Sequence, residues 1–410
     1  MAPGRTIYIA GAGIAGMTLA LALAKFGATV VVLERNKKIQ EVGAGLQLSP
    51  NARRVLNQLG LDKAIAAKSF EPAAIDVHPF RARKPVVSLE LGIAARARYG
   101  VPYAVMHRAD LAEILHRACK RFANIDMLFG VRSFDAVSHA RGVSMTVDEA
   151  DGGARSTRVH AFVGADGVNS ETRTRVLGGP AASYSGYVAW RTTLNAETLK
   201  GALAPDRTTL LMAPGYHAVC YPLPQRRQMN IALFTKEKTE RLHAQTTPKE
   251  PKLPWAALPS QQFAAIAEAA NGAWGYWIVN TVSAPDWHGG GIGLIGDAAH
   301  AMLPFQAQGA AMAIEDAAIL APLLMTEPDA DSAFQRFFAL RRSRVERVRR
   351  TSDFNGFAYH MEWPFTLARN AVLRLQGRKA HFRRLDWLYG YDPAPEPAIA
   401  GPVREDDAAE

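Results

Sequence analysis

The chain has 410 residues, 48% of them apolar and 21% charged, which excludes a disordered or low-complexity protein and allows a large core. Its two cysteines, Cys119 and Cys220, exclude a disulfide framework and a cysteine metal site, and they predict a cytoplasmic location. The formal net charge of +10 favours anionic ligands. The apolar run Met17 to Leu23 is too short to cross a bilayer, so no integral membrane segment is expected.

The N-terminal region alternates between strand and helix patterns. Arg5 to Ala10 and Thr29 to Leu33 are apolar and rich in β-branched residues, which predicts two buried strands. Ala15 to Phe26, between them, is an Ala- and Leu-rich run that predicts a helix. A strand, a helix and a second strand in this order predict a βαβ unit, and therefore a parallel sheet.

The turn of this unit reads GAGIAG and has the spacing G-x-G-x-x-G. Gly11 permits the tight turn, Gly13 lets the backbone approach a pyrophosphate, and Gly16 lets helix and strand pack closely. Glu34 closes the second strand, where an acidic residue binds ribose hydroxyls, and Arg35 beside it is suited to stacking on adenine. The pattern predicts a dinucleotide, NAD or FAD; the alternatives are a structural glycine turn and an ordinary surface arginine.

Two further turns combine glycine with aspartate at the ends of apolar strands. The sequence GADG contains Asp166, and the sequence GD contains Asp297. Either turn alone is compatible with an ordinary loop. Because the carboxyl ends of parallel strands lie at one edge of a sheet, we expect the glycine turn and the two aspartate turns to contact one ligand there.

Three motifs together resemble those of the flavoprotein aromatic hydroxylases, the single-component (group A) FAD-dependent monooxygenases. They read GAGIAG followed by ER, GADGVNSETR, and GDAAHAMLPFQAQGAAMAIEDAAIL, and they occur in that family's order across essentially the whole chain. The resemblance implies FAD as the bound cofactor and NADH or NADPH as a transient co-substrate. It also implies that O2 is used, through a flavin C4a-hydroperoxide, to hydroxylate a small aromatic acid of the hydroxybenzoate or salicylate type.

Strand and helix patterns along the rest of the chain predict a discontinuous α/β fold. A parallel-sheet domain, Rossmann-like and FAD-binding by the resemblance, is interrupted by a β-rich substrate domain and followed by C-terminal helices. Residues 72–105 read as strands, and VNSETRTRVL reads as a helix. The predicted limits are 1–71, 106–178 and 283–340 for the FAD-binding domain, 72–105 and 179–282 for the β-rich substrate domain, 341–400 for the C-terminal helical segment, and 401–410 for a flexible tail.

The resemblance also assigns site residues. Asp297 matches the residue that binds the ribityl chain, and Pro304 matches a catalytic position, the proline beside the isoalloxazine ring. The positions that match FAD contacts are Gly11, Gly13, Ala15, Gly16, Glu34, Arg35, Gln47, Arg108, Val131, Asp166, Asp297, Gly309 and Ala310. Gln47 matches the branch that acts on 3-hydroxybenzoate, whereas Pro304 matches most other branches, so the substrate branch is left open.

The segment GYHAVCYPL offers the candidate catalytic residues. His217 alternates with Val219 and Tyr221 along a predicted strand, so the three side chains share one face. Histidine suits a general base that removes a phenolic proton. The resemblance implies that His217 and Tyr221 lie in the substrate site and act catalytically; the alternative is a histidine that completes a core hydrogen bond. Arg191 is the candidate partner of a substrate carboxylate, and the alternative is a surface arginine on a strand.

The basic run RRSRVERVRR, Arg341 to Arg350, predicts a solvated helix face, because no aromatic residues interleave it and no nucleic-acid motif accompanies it. No nucleic-acid partner is therefore expected. His300 is interpreted as a structural residue of the flavin turn, while Glu315 and Asp316 receive no role.

Two questions stay open at the level of sequence. The same scaffold also serves FAD-dependent oxidoreductases that act on quinone, prenyl or other non-aromatic substrates without hydroxylating a ring. The residues do not decide between that alternative and an aromatic hydroxylase by themselves, nor between a monomer and a homodimer.

Overall fold

The computed structural model describes residues 4–39, 45–140, 142–149, 152–238, 251, 260–376 and 378–393. The predicted flexible tail, 401–410, lies outside these ranges, as do residues 41–44 of the segment EVGAGLQLSPN. Within the ranges, the chain forms two large β-sheets, two small ones, and a set of helices.

The described residues form mostly short strands and helices. The strands are β1 Thr6–Ala10, β2 Thr29–Glu34, β3 Gly45–Leu48, β4 Ala74–His78, β5 Val87–Glu90, β6 Ala104–His107, β7 Ile125–Phe129, β8 Ser133–His139, β9 Gly142–Asp148, β10 Ala154–Val159, β11 Ala161–Gly164, β12 Ser183–Asn195, β13 Thr208–Ala213, β14 Tyr216–Leu223, β15 Gln228–Lys236, β16 Gly275–Thr281, β17 His288–Gly289 and β18 Ile292–Leu294. The helices are α1 Ile14–Lys25, α2 Pro50–Gln58, α3 Asp62–Lys68, α4 Ile93–Tyr99, α5 Arg108–Cys119, α6 Gln261–Ala270, α7 Asp297–His300, α8 Gly309–Thr326, α9 Ala330–Tyr359, α10 Phe365–Leu375 and α11 Arg378–Tyr389. Short 3-10 turns span Ala196–Leu199, Pro224–Arg226 and Pro304–Gln306, and a π-helical turn spans Thr172–Val176.

A sheet of six strands forms the centre of the α/β part. Its spatial order is β17-β18-β11-β1-β2-β7, and every neighbouring pair is parallel except β17 and β18. Parallel strands are usually buried on both faces, which explains why β1 and β2 are nearly continuous apolar runs. Because the parallel strands end at the same edge, the loops after β1, β2, β11 and β18 converge there.

Helix α8 lies at the centre of the helical layer, where it contacts α1, α2 and α9. Among the described helices, it alone has the length and hydropathy of a membrane span, but 72% of it is buried inside the protein. An apolar helix that its neighbours cover on most sides is a core helix. Its apolar composition therefore follows from its position in the fold.

The second large sheet has seven strands in the order β16-β12-β15-β14-β13-β4-β5, and all neighbours are antiparallel except β13 and β4. One face packs against α6, with Trp190, Leu233 and Phe263 in a buried apolar cluster. The opposite face carries Ala189 and Phe234, which pack against Phe305 from the 3-10 turn after α7. This second face is therefore turned toward a loop at the end of the parallel sheet.

The architecture confirms the predicted α/β class, with a parallel sheet, a β-rich part and C-terminal helices. The domain limits stay a prediction, and the structure differs from three local expectations. Residues 72–105 contain α4 as well as strands, and VNSETRTRVL forms only the short π-helical turn. The limit at 340/341 falls inside α9, which continues because Phe337, Arg341 and Val345 form one buried stripe at four-residue spacing.

Candidate functional site

The glycine turn between β1 and α1 is closely packed on two sides. A Cβ atom at Gly11, where φ is +102°, would lie 2.5 Å from the carbonyl oxygen of Ala165, and one at Gly16 would lie 2.0 Å from the carbonyl oxygen of Gly11. A Cβ at Gly13 would meet no atom of the described residues within 4 Å. Among the described residues, no side chain forms a capping hydrogen bond at the N-terminus of α1. The first N–H groups of α1 are therefore available to a phosphate.

The carboxylate of Glu34 is fixed at the end of β2. One oxygen accepts a hydrogen bond of 3.0 Å from the backbone N–H of Ala12, and the other accepts bonds of 2.9 and 2.7 Å from the backbone N–H and side-chain amide of Asn36. The backbone N–H of Val131 donates to the carbonyl of Glu34 at 3.0 Å. Arg35 follows with an exposed side chain. Glu34, Arg35 and Val131 thus lie together at the edge of the parallel sheet.

The turn after β11 uses the carboxylate of Asp166 to hold its own shape. The oxygens of Asp166 accept hydrogen bonds from the hydroxyl of Ser170 at 2.6 Å and from the N–H and hydroxyl of Thr172, both at 3.0 Å. Arg173 is 1% exposed and donates to the carbonyl of Ala298 at 2.8 Å, which ties this turn to the third motif. Asp166 therefore has a structural role, and its contact with a cofactor stays a prediction.

Asp297 lies at the start of α7, where α1 and α8 also meet. The preceding residue, Gly296, has a φ of +59°, and a Cβ there would lie 3.3 Å from the Cβ of Ala15. Oδ1 of Asp297 lies 3.9 Å from the Cβ position at Gly309, the first residue of α8. Within the described part of the chain α8 has no side-chain cap, so the N–H groups of Gly309 and Ala310 are open to a ligand. A carboxylate and an uncapped helix N-terminus are thus adjacent.

Four buried side chains and the partly buried Arg344, together termed the ionic cluster, hold the Asp297 turn in place; the four are His300, Glu315, Asp316 and Arg341. Oδ2 of Asp316 accepts a bond of 2.9 Å from the N–H of the turn's glycine and lies 2.7 Å from Nε2 of His300. Nε of Arg341 donates to the other oxygen of Asp316 at 2.7 Å. Glu315 accepts bonds of 2.6 Å from both Arg341 and Arg344. The predicted structural role of His300 fits these contacts.

The ionic cluster corrects the interpretation of the basic run on α9. Burial alone would raise the pKa of Asp316, but the nearby charges of His300 and Arg341 and the hydrogen bonds to its oxygens lower it to about 2. The side chain of Arg341 is 0% exposed and that of Arg344 is 9% exposed. The prediction of a solvated face is therefore wrong for these two arginines, because the acidic residues of α8 pair with them. It is right for Arg350, which is exposed.

One face of the second sheet carries the predicted substrate and catalytic side chains and packs against the loop after α7. Alternation along β14 places His217 and Tyr221 on one face, as the sequence predicted. The register of β15 and β12 places Phe234 and Arg191 on the same face. Phe234 packs in a buried cluster with Phe305, which lies in the turn Pro304–Gln306. The predicted catalytic residues and the predicted flavin loop therefore meet.

His217 lies in an enclosure termed the histidine box, which His360, Phe234, Phe305 and Tyr359 complete. Its ring centroid is 4.7 Å from that of Phe305 and 4.9 Å from that of Phe234, and its side chain is fully buried. Nδ1 of His217 lies 2.7 Å from Nε2 of His360, while Nε2 of His217 is buried without a partner among the described residues. Burial lowers the pKa of His217 well below its usual value and that of His360 to about 4.

Arg191 and Tyr221 form a polar spot on the same face. Nε of Arg191 is buried and has no hydrogen-bond partner in the described ranges, and its guanidinium carbon lies 5.6 Å from the ring centroid of Trp277. Burial lowers the pKa of Arg191, and the neighbouring Tyr221 and Arg108 act on it in opposite directions. Burial also raises the pKa of Tyr221. A partly buried arginine whose Nε is buried without a partner among the described residues is suited to binding an anion.

Gln47 lies on β3, which pairs with β6 in a two-stranded sheet. Its side-chain oxygen accepts a hydrogen bond of 2.5 Å from the hydroxyl of Tyr103. Gly45, two residues earlier, donates its N–H to the side chain of Asn230 at 2.6 Å, and a Cβ there would lie 2.3 Å from a ring carbon of Tyr221. The strand that carries Gln47 thus packs directly on a predicted substrate residue.

Comparison with known proteins decides the cofactor. A family model described as an FAD binding domain matches residues 5–350. The chain belongs to this FAD-binding family. It is 31% identical over 388 residues to 3-hydroxybenzoate 6-hydroxylase 1 of Aquipseudomonas alcaligenes, with 94% of this chain and 97% of that protein covered. It is 30% identical over 393 residues to 3-amino-4-hydroxybenzoate 2-monooxygenase PtnB3 of Streptomyces platensis, with 95% and 96% covered.

The comparison of folds agrees with this assignment. HpxO of Klebsiella pneumoniae, solved with FAD and uric acid, superposes with a TM-score of 0.78 at 22% identity, and the match covers 98% of each chain. At this identity the similarity concerns the fold. Together with the family match and the named relatives, it confirms that this flavoprotein is an FAD-dependent aromatic-ring monooxygenase, as the motifs predicted.

The residues at the edge of the parallel sheet fit FAD. The open space at Gly13 and the uncapped start of α1 suit a pyrophosphate, and the fixed carboxylate of Glu34 suits ribose hydroxyls. Asp297 suits the ribityl hydroxyls, and the uncapped start of α8 favours negative charge on the adjacent edge of the flavin ring. The individual contacts of FAD with these residues, and with Arg108 and Gln47, stay predictions.

Sequence reasoning missed several residues of this region, namely Tyr103, Arg173, Asn230, Arg341, Arg344 and His360. Arg173 lies inside a quoted motif, so its position was a usable signal. The contacts of His360 and Asn230 join residues 143 and 185 positions apart, and no local pattern reports such pairs. In the described ranges, no group of three or more His, Cys, Asp or Glu side chains is arranged to hold a metal ion.

Proposed function

We propose that this monooxygenase uses NADH or NADPH and O2 to hydroxylate a small aromatic acid of the hydroxybenzoate or salicylate type. The observation that carries the proposal is the buried Nε of Arg191, which has no partner among the described residues and lies on the same sheet face as His217. A carboxylate and a phenolic hydroxyl on one ring are the two groups that such a pair binds. Both relatives described above are named for reactions on hydroxybenzoates.

When bound, FAD supplies the redox and oxygen-transfer chemistry. The chain's own residues hold the cofactor, orient the aromatic acid against it and exclude water. Pro304 begins the turn that separates the parallel-sheet edge from the second sheet, and the adjacent Phe305 packs its ring on His217 and Tyr187. The aromatic side chains keep this region dry, which strengthens every electrostatic contact made there.

Arg191 is the proposed anchor of the substrate carboxylate. A guanidinium binds a carboxylate through two parallel hydrogen bonds, and burial strengthens such a pair. Tyr221, coupled to Arg191 on the same face, adds a hydroxyl that donates to the same anion or to the ring hydroxyl. An anion between them would also satisfy the nitrogen of Arg191 that has no partner among the described residues.

His217 is the proposed general base. Burial keeps its imidazole neutral, which is the form that accepts a proton. Nε2 of His217 has no partner among the described residues and is the proposed acceptor of the phenolic proton. A phenolate that develops beside it raises the affinity of this nitrogen for the proton, because opposite charges stabilise each other strongly in a dry site.

A substrate screen tests the proposed reaction. Purified protein loaded with FAD is incubated with 3-hydroxybenzoate, salicylate and hydroxynicotinates, and both NAD(P)H oxidation and the aromatic products are measured. We expect one of these acids to stimulate oxidation and to yield a hydroxylated product. NAD(P)H consumption without any hydroxylated ring would favour the alternative oxidoreductase that acts on a non-aromatic substrate.

Substitution of Arg191 tests the carboxylate contact. Arg191→Gln should weaken binding of the acid by about 2 kcal/mol or more, which is about 30-fold in Kd, because a buried charge pair loses one partner. Binding is followed by the flavin absorbance change. Arg207→Gln is the matched control, since Arg207 borders the same sheet and pairs with Asp76. An equal loss with a phenol that lacks the carboxylate would show that Arg191 has another role.

A further inference from the structure

His360 lies where α9 ends, and it enters the histidine box from outside the second sheet. Its backbone carbonyl accepts a hydrogen bond of 3.3 Å from the N–H of Gly215, the residue just before β14. Its ring lies 5.4 Å from that of Tyr187 and 5.9 Å from that of Phe305, measured between centroids. These contacts fix the side chain of His360 from both the helix and the sheet.

We propose that His360 is a positioning residue, which binds Nδ1 of His217 and thereby leaves Nε2 as the nitrogen that accepts the substrate's phenolic proton. The proposal rests on the proposed function, in which His217 is the base. Its basis is the 2.7 Å distance between Nδ1 of His217 and Nε2 of His360, together with the complete burial of His217.

The hydrogen between the two rings decides which nitrogen can act. If Nε2 of His360 carries it, neutral His217 has its own hydrogen on Nε2 and cannot accept a proton there. If Nδ1 of His217 carries it, the lone pair of His217 Nε2 is free, and His360 has its hydrogen on Nδ1. A phenolic hydroxyl that donates to His217 selects the second arrangement.

The second arrangement also stabilises the positive charge that forms on His217 when it accepts the proton. When the phenolic proton moves to Nε2, the substrate becomes a phenolate and His217 becomes an imidazolium, so charge is conserved. Nδ1–H of the imidazolium still donates to the lone pair on Nε2 of His360. An acceptor at this position stabilises the cation in a region that burial would otherwise make unfavourable for it.

Few described groups other than His360 lie near enough to His217 to bind its Nδ1. Among the described residues, the titratable neighbours of the two rings are Tyr187 and Tyr359, and the charged neighbour that acts on His360 is Lys236. Burial raises the pKa of both tyrosines, so they stay neutral donors. Among these neighbours, His360 is the group that hydrogen-bonds to Nδ1 of His217.

Two substitutions with opposite chemistry test the role of His360. His360→Gln places an amide oxygen near the position of Nε2 and keeps an acceptor, whereas His360→Leu keeps the approximate volume and removes it. We expect His360→Leu to lower kcat for hydroxylation at least about tenfold, which is less than the roughly 100-fold or larger loss of a whole general base because His217 stays in place. We expect His360→Gln to retain kcat within about threefold. The probe is 3-hydroxybenzoate, or salicylate if the screen selects it.

The pH profile and substrate affinity separate positioning from a merely structural role. In His360→Leu the acidic limb of the kcat profile should move to lower pH, because the imidazolium of His217 loses its acceptor. The Kd of the acid and of FAD should change little, because the proposed role of His360 acts through its bond to His217 and not through a ligand. Equal losses in both His360 variants with an unchanged pH profile would overturn the proposal.

Substitution of His217 distinguishes failure of this proposal from failure of the proposed function. If His217→Gln leaves kcat and its pH profile unchanged, His217 is not the base and the role of His360 falls with it. If His217→Gln lowers kcat but His360→Leu does not, only the positioning role is wrong. His139→Gln, on an exposed strand end, is the matched control. If His360→Leu does not fold, His360→Asn replaces it. The amide of Asn is one methylene closer to the backbone than that of Gln, so the same loss of kcat is expected.

Discussion

Two buried polar groups of residues contact the loop between β18 and α8, and they are built in opposite ways. The ionic cluster combines two carboxylates, two guanidinium groups and an imidazole, and each carboxylate pairs with more than one partner. The histidine box holds two imidazoles that burial keeps neutral, and two of their ring nitrogens have no partner among the described residues.

The difference indicates what each region does. A buried charge is tolerated only when it is paired and hydrogen-bonded, and the carboxylates of the ionic cluster are already paired within it, so the cluster is suited to fixing the Asp297 turn. A buried neutral nitrogen without a partner costs less free energy than an unpaired buried charge does, and a ligand can supply the missing hydrogen bond. We therefore infer that the ionic cluster is architectural and that the histidine box serves the substrate.

The largest expected effect comes from breaking the ionic cluster. Arg341→Met should lower the free energy of unfolding by about 3–5 kcal/mol, because it leaves Glu315 and Asp316 as buried charges with too few partners. The same change should weaken FAD binding, since Asp316 holds the glycine that precedes Asp297. Urea unfolding and FAD titration measure the two effects.

The adjacent arginine provides the control for this prediction. Arg342 is exposed and its guanidinium lies over the ring of Phe338 at 5.2 Å. Arg342→Met should change the free energy of unfolding by no more than about 1 kcal/mol, the usual size of an exposed cation–π contact. Similar results for Arg341→Met and Arg342→Met would contradict the view that the cluster is architectural.

A smaller effect on the free energy of unfolding is expected from the histidine box when the pH is lowered. Burial lowers the pKa of His360 from 6.5 to about 4, so the unfolded chain takes up a proton at higher pH than the folded chain does. The stability from neutral His360 is therefore present above about pH 6.5 and is lost as the pH falls toward 4. At about pH 5.5 the expected loss is about 1 kcal/mol.

Comparison with His360→Gln isolates this histidine from the others. Urea unfolding of the FAD-bound protein at about pH 7 and about pH 5.5 should show a larger loss in the original chain than in the variant. Asp316 of the ionic cluster should not contribute in this window, because its pKa is about 2 and its stabilisation is lost only as the pH falls below about 4. Identical losses in both proteins would contradict the assignment of a depressed pKa to His360.

The same contrast explains what the sequence could predict. The βαβ unit, the three glycine turns and the shared face of His217 and Tyr221 follow from local spacing, because backbone geometry alone enforces them. The pairing of Arg341 with Asp316 joins two helices, and that of His217 with His360 joins a strand to a distant helix end. Such partners are set by packing, so a buried arginine in a basic run has the same local pattern as a solvated one.

The smallest expected effect concerns a surface ion pair on the same helix as Arg341. Nε of Arg350 donates to Glu346 at 2.7 Å, the same length as the bond from Nε of Arg341 to Asp316. The side chain of Arg350 is 76% exposed, whereas that of Arg341 is 0% exposed. Arg350→Gln should therefore change the free energy of unfolding by only about 0.5 kcal/mol or less.

Salt provides the sharper test of this last prediction. Raising the ionic strength screens exposed charges more than buried ones, so the small effect of Arg350→Gln should vanish in high salt. The effect of Arg341→Met should persist there, because no solvent ions reach Glu315 and Asp316. If both effects faded equally, burial would not be the property that separates two ion pairs of equal length, and the distinction between the ionic cluster and the protein surface would fail.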